Sequence, residues 1–285
     1  MKLNKSDIST KEILDWEGIH LLHFSGSACS QKLRIFFNIK KIKWNSHIIN
    51  LIKQEQFSEW FLGINPRGLV PTLVHDGDVH IESNEIMRYL DEIFNDRRLF
   101  PLHIIDEITN DLEFEDSLHH DLRRLTFRYI IPHSLGKKAP DILSKKEKSK
   151  GTIQGLPDEC KNKEITFWKN HYKYGITDEE VIESATKFKK VYQNFNKILA
   201  NQNYLKGNDF TVVDLAWYVS TKRLITSGIP IYKYKNVKKW FDKLNNDNNF
   251  SKEIKIDLPL LITSKILKII NKLKRKYVTD LVDFN

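Results

Sequence analysis

Pro71 stands directly before the apolar run Thr72-Leu73-Val74. A proline has no N–H to give a strand ladder, so it fixes a turn at a strand entry. The residues just upstream, Asn65-Pro66-Arg67-Gly68, are turn formers as well. Downstream, the Asp76-Gly77 pair supplies the positive φ values that a two-residue hairpin loop requires, which predicts antiparallel strands at 72–75 and 79–81. Ile86, Met87, Leu90 and Ile93 then recur at helical spacing, with Ser83 in the N-cap position. A helix start of this kind offers unpaired N–H groups and a partial positive charge to a carboxylate, and Glu82 beside it can take an ammonium group.

Upstream, His20 to Phe24 reads as a strand. The small polar stretch Ser25-Gly26-Ser27-Ala28-Cys29-Ser30 reads as a turn opening a helix that carries Leu33, Ile35, Phe36 and Phe37. Trp44 to Leu51 alternates as a second strand, and Gln54-Glu55-Gln56-Phe57-Ser58 begins another helical turn.

These stretches, Ser27 to Arg34 together with Asn65 to Leu73 and Ile81 to Ile86, resemble the glutathione-binding half of the cytosolic glutathione transferases, most closely the zeta-like class and the bacterial β-etherase and reductive dehalogenase relatives. The resemblance runs from about Ile19 to about Leu244 and is densest in its first eighty or so residues. It implies a thioredoxin-like α/β domain at 19–101, a cis bond at Pro71, and a Val70 backbone that pairs with an extended tripeptide. It also implies glutathione as the cofactor, with Glu82 and Ser83 at its γ-glutamyl end and Gln56 at its glycyl end. The catalytic hydroxyl falls on Ser27, with Ser30 and Cys29 as rivals at the same helix start. The thiolate of glutathione would attack an electrophilic apolar or aromatic small molecule held between the domains. Isomerisation of a maleyl compound, β-ether cleavage or reductive dehalogenation are alternative reactions, and a non-catalytic binding or scaffold module is the alternative outside catalysis. Dimers are usual in this family, so a homodimer is expected.

The chemistry asks for one good donor. The glutathione thiol ionises near 8.5, and bringing it to neutrality takes about 2–3 kcal/mol, the size of one hydroxyl bond to the thiolate plus a helix dipole.

With 285 residues, 40% of them apolar, the chain can bury substantial cores. Two cysteines, Cys29 and Cys160, leave no disulfide framework and point to a reducing compartment, so a cytoplasmic location is expected. The formal charge of +9 is spread along the chain without aromatic interleaving or zinc spacing, so no nucleic acid and no metal is expected.

After Phe100-Pro101 helical periodicity takes over, predicting an all-helical domain at 102–250 after an N-terminal extension at 1–18. Helical intervals run over 104–131, with His119-His120-Asp121 on the polar side and the histidines facing solvent, and a loop or insertion is expected at 134–164. Another is expected from Val181 to Leu199, and Thr211 with Asp214 forms a capping box before Leu215-Ala216-Trp217-Tyr218. Phe127, Tyr129, Trp168, Tyr172 and Tyr174 are candidates for a second-substrate pocket, with core packing the commoner role for such residues. In the C-terminal extension, 251–285, residues 262–277 form an amphipathic basic helix. Its apolar face is expected to dock on the helical domain, with contact to an anionic membrane surface as the alternative.

Overall fold

The computed structural model describes residues 1–149, 151–255 and 258–285, which fall into two compact units: Met1–Asn95 with Lys137–Gly175, and Asp96–Gly136 with Ile176–Asn285. The first carries a four-stranded sheet in the order β2-β1-β3-β4. Strands β1 (Ile19–His23) and β2 (Asn45–Ile48) are parallel, a pairing that needs a crossover, here helix α1 (Ala28–Lys40). Strands β3 (Thr72–His75) and β4 (Asp78–His80) complete the sheet in antiparallel pairing. The short helix α2 (Glu59–Leu62) precedes β3 and α3 (Ser83–Ile93) follows β4, giving a thioredoxin-like arrangement.

Helix α1 buries Leu33, Ile35, Phe36 and Phe37, and α3 buries Ile86, Met87 and Leu90. Where these helices meet, Lys40 and Asp91 form a buried 2.6 Å ion pair. The hairpin turn has Asp76 and Gly77 at φ 48° and 76°, the geometry an Asp-Gly loop favours. Strand β2 is shorter than the alternation suggests, because the Asn50 side chain accepts from the N–H groups of Ile52 and Lys53, both at 3.0 Å, and turns the chain.

Residues 1–18, expected to precede this domain, pack into it. Leu3 N–H donates to the Val79 carbonyl and Ile81 N–H to that of Met1, each at 2.9 Å. Leu3, Ile8 and Ile13 join Leu22, Phe61, Val74 and Val79 in one core cluster.

In chain order α4 (Ile105–Ser117), α5 (His119–Tyr129) and α6 (His133–Gly136) follow, all in the second unit. The helical stretch expected over 104–131 is thus two helices, parted at Leu118. The stretch 134–164, expected as a loop, is largely ordered as α7 (Pro140–Lys148), a hairpin of β5 (Thr152–Ile153) and β6 (Leu156–Pro157), and the start of α8 (Glu159–Tyr174). Pro140 is at home in a first helical turn, and Gln154 and Gly155 at φ 53° and 80° make the hairpin turn. From Lys137 to Gly175 this insert belongs with the first unit. Asp7 ties it down, accepting from Thr152 Oγ1 at 2.5 Å, Gln154 N–H at 2.8 Å and Gly155 N–H at 2.9 Å.

The second unit continues with α9 (Asp178–Ile198), α10 (Val212–Ser227), α11 (Lys235–Asn245), α12 (Asn248–Ser251), α13 (Leu258–Leu273) and α14 (Val278–Leu281). Helix α10 is its buried centre, entered through the Thr211–Asp214 capping box; Asp214 also accepts from Leu205 N–H and Trp240 Nε1, both at 2.9 Å. Asp121, on the side expected to be polar, is buried because α9 packs on that face and supplies Ser184 Oγ at 2.7 Å and the Lys187 ammonium. His119 lies against the buried Glu115.

The expected docking of the C-terminal helix is reversed. Helix α13 turns Ser264 and Asn271 inward and exposes Ile262, Ile266, Ile269 and Ile270. Tyr277, Val278, Val282 and Phe284, beyond the helix, fill the core instead. No helix among the described residues is long and apolar enough to cross a membrane.

Candidate functional site

The loop before β3 is set by Asn65, which is 1% exposed. Its Nδ2 donates to the Leu69 carbonyl at 2.8 Å and to Thr72 Oγ1 at 3.0 Å, while its Oδ1 accepts from Arg67 N–H at 3.0 Å. These bonds carry the chain into the cis Val70-Pro71 peptide. Gly68 sits at φ 60°, and a Cβ there would come within 3.0 Å of the Gln56 carbonyl oxygen, so the loop lies directly on Gln56. Gln56 is buried, and its Oε1 has no hydrogen-bond partner.

Ser27 is the N-cap of α1. Its Oγ accepts from Ser30 N–H at 3.3 Å and donates to the Val70 carbonyl at 3.5 Å, the outer limit of a hydrogen bond. A hydroxyl held so loosely can redirect its proton to a better acceptor. Ser30, one turn in, is fully buried, and its Oγ receives Phe24 N–H at 3.4 Å. Cys29 is half-buried and in no disulfide, and Ser25 is exposed. Behind the turn, the Arg34 guanidinium donates to the carbonyls of Phe24 and Ser25 at 3.3 and 3.1 Å, and Gln31 Nε2 also reaches Ser25 at 3.2 Å. Fixed positive charge therefore lies beneath a helix start, an environment that favours a thiolate.

At the other helix start, Glu82 rather than Ser83 is the N-cap, with φ 67°; Ser83 is the first helical residue and is buried. The Glu82 carboxylate receives Arg67 Nη1, and Arg67 Nε and Nη2 grip Asp158 at 3.2 and 3.1 Å. Asp158 also caps α8 through Cys160 N–H at 3.3 Å. Loop 65–71 thus links Ser27, Gln56 and Glu82 within one unit. Neither Arg67 nor Asp158 was expected from the sequence. Arg67 lies inside the turn motif and could have been noticed, whereas no local signal pairs it with a residue 91 positions away.

The candidate aromatic residues do not share one environment. Tyr129 is core of the second unit, its hydroxyl donating to the Lys276 carbonyl at 3.0 Å. In the first unit Trp168 is buried with Nε1 on Glu164, while Tyr172 and Tyr174 are exposed.

A cis-proline loop, a helix-capping hydroxyl and an acidic helix start on a thioredoxin-like sheet, in a chain that also carries an all-helical unit, define a two-domain protein of the thiol-handling kind. The family models described as "Glutathione S-transferase, N-terminal domain" and "Glutathione S-transferase, C-terminal domain" match residues 26–93 and 161–248, together more than half of the chain. The chain belongs to the glutathione S-transferase family. It is 37% identical over 92 residues to a "Glutathione S-transferase zeta class" of Euphorbia esula, covering 32% of this chain but only 41% of that protein. It is 25% identical over 247 residues to "Protein LigF" of Sphingobium sp., covering 80% of this chain and 89% of the relative. The crystal structure of the β-etherase LigF from Sphingobium superposes with a TM-score of 0.68 at 22% identity, covering 82% of this chain and 98% of that one.

Proposed function

We propose that this protein binds glutathione in its first unit and catalyses transfer of the glutathionyl group, with Ser27 holding the thiolate. The observation that carries this reading is the loose Ser27 hydroxyl at the start of α1, 3.5 Å from the carbonyl of the cis-proline loop. Glutathione would lie extended along the Val70-Pro71 backbone. Its γ-glutamyl ammonium would meet Glu82, and its carboxylate the N–H groups at the Ser83 helix start. The partnerless, buried Oε1 of Gln56 would gain a peptide N–H from the ligand. Sulfur then forms a bond to the electrophilic carbon, and the leaving group departs with its electron pair as halide or aryloxide.

Cleavage of a β-aryl ether is a second reading, favoured by the nearly full-length match to LigF. By analogy with the family, maleyl-compound isomerisation and reductive dehalogenation are the other alternative reactions, and a homodimeric assembly and a cytoplasmic location are proposed.

Glutathione at 100 times its dissociation constant should add about 2.7 kcal/mol to stability and raise the melting temperature accordingly. A panel of an aryl halide, a β-aryl ether and maleylacetone, each with and without glutathione, would then assign the reaction. No melting shift at millimolar glutathione, with no retention on a glutathione resin, rejects the proposal.

A further inference from the structure

Helix α13, Leu258–Leu273, exposes the side chains that its pattern should bury. Six large apolar residues, Leu258, Ile262, Ile266, Ile269, Ile270 and Leu273, are between 40% and 81% exposed, a third of all such side chains among the described residues. At 3.6 residues per turn they fall within an arc of about 120° along one side of the helix. Lys265, Lys268 and Lys272 line one edge of that arc, and the helix has no acidic side chain. The face turned to its own unit is the polar one. Ser264 and Asn271 are buried there, and their side chains are satisfied by the helix's own carbonyls at Leu261 and Leu267, both at 2.8 Å.

The mounting beneath the helix is firm. Lys268 and Lys272 lie 5.5 and 5.7 Å over the ring of Tyr277, which is itself buried against Tyr129. Lys276 is held by Asp178 at 2.7 Å and so adds no free charge to the surface. The apolar arc thus faces solvent on a helix whose other side is already seated.

We propose that α13 is a membrane-surface anchor that lies in the interface of an anionic phospholipid bilayer. The arc would enter the boundary between headgroups and acyl chains, while Lys265 at its edge extends to lipid phosphates and Lys268 and Lys272, held over Tyr277, add positive charge to that edge. A 16-residue helix measures roughly 24 Å, too short to span a hydrocarbon core but ample to lie along its surface. Charge argues against a second copy as the occupant: a twofold contact through this face would bring together two helices that carry lysines and no carboxylate. Anionic lipid supplies the missing countercharge. The anchoring stands independently of the reaction that the first unit catalyses.

The test is vesicle co-sedimentation of the full chain. Wild-type protein should pellet with phosphatidylcholine vesicles containing one-third phosphatidylserine at about 0.1 M salt, stay in solution with pure phosphatidylcholine, and release at about 0.5 M salt, where screening is stronger. The triple variant I262E/I269E/L273E should lose binding while keeping the wild-type melting temperature, because all three side chains are exposed. Lys265→Glu should weaken binding at least about fivefold, from the loss of one lysine near a charged surface. Wild-type protein that remains in solution with anionic vesicles overturns the proposal, as does a triple variant that pellets equally well. A wild-type dimer that the triple variant dissociates would also overturn it, by assigning the face to a second copy.

Discussion

Arg67 binds the carboxylate of Glu82 with one nitrogen while its other two nitrogens hold Asp158 at 3.2 and 3.1 Å. Glu82 opens α3 next to the cis-proline loop, and Asp158 opens α8 in the insert. The carboxylate proposed to receive an ammonium group is therefore already in contact with a fixed cation, and the insert determines where that cation stands. This departs from a site in which the acidic residue simply waits in solvent.

Asp158→Asn isolates the ion pair, because asparagine caps a helix about as well as aspartate does. The Asp158 side chain is 6% exposed and Arg67 14%, so the lost charge-assisted bonds should cost about 1.5–3 kcal/mol, read as a lower melting temperature. Released from Asp158, Arg67 should compete more freely for Glu82, and glutathione affinity should fall several-fold. An unchanged melting temperature would show that the insert contributes nothing to this corner.

His80 gives the first unit a pH dependence. Burial, followed by the nearby Met1 ammonium, pushes its pKa down from 6.5 to about 4, and its Nε2 has no hydrogen-bond partner. The unfolded chain takes up this proton as pH falls below 6.5, but the folded protein does not until about pH 4. Stability is therefore full above about pH 7 and declines through that window, by about 2 kcal/mol at pH 5 for this one group. His80→Phe keeps a ring over Tyr89, now 3.9 Å away, and removes the titration. The variant should lose less stability than wild type between pH 7 and pH 5 in paired melting experiments; parallel curves would contradict this.

Local chemistry made part of this molecule readable. The turn at Pro71, the Asp76-Gly77 hairpin, the helix that follows and the Thr211–Asp214 cap each depend on residues close to one another in sequence, and the structure has them where the pattern indicates. Ser83 was one place off as the cap, since Glu82 adopts a positive φ that few non-glycine residues favour. Long-range packing was not readable. Asp7 reaches the hairpin at 152–155 across 145 positions or more, and nothing in Lys-rich, Gly-containing sequence announces that partner. The C-terminal helix shows a different limit: periodicity reveals an apolar face, but which face is covered depends on neighbours, and here Tyr277 and Val278 had already filled the core.

The most direct test of the central claim is an ultraviolet titration of the thiolate of bound glutathione in wild-type protein, Ser27→Ala, Ser30→Ala and Cys29→Ala. Losing one charge-assisted hydrogen bond of about 1.5–3 kcal/mol should raise the thiol pKa in Ser27→Ala by about 1–2 units, with turnover at neutral pH falling roughly 10- to 150-fold and recovering partly in alkali. Ser30→Ala, which alters a buried contact to Phe24, should titrate close to wild type. A wild-type titration in Ser27→Ala, with an upward shift in Ser30→Ala or Cys29→Ala, would contradict the account and move the thiol-activating role to that neighbour.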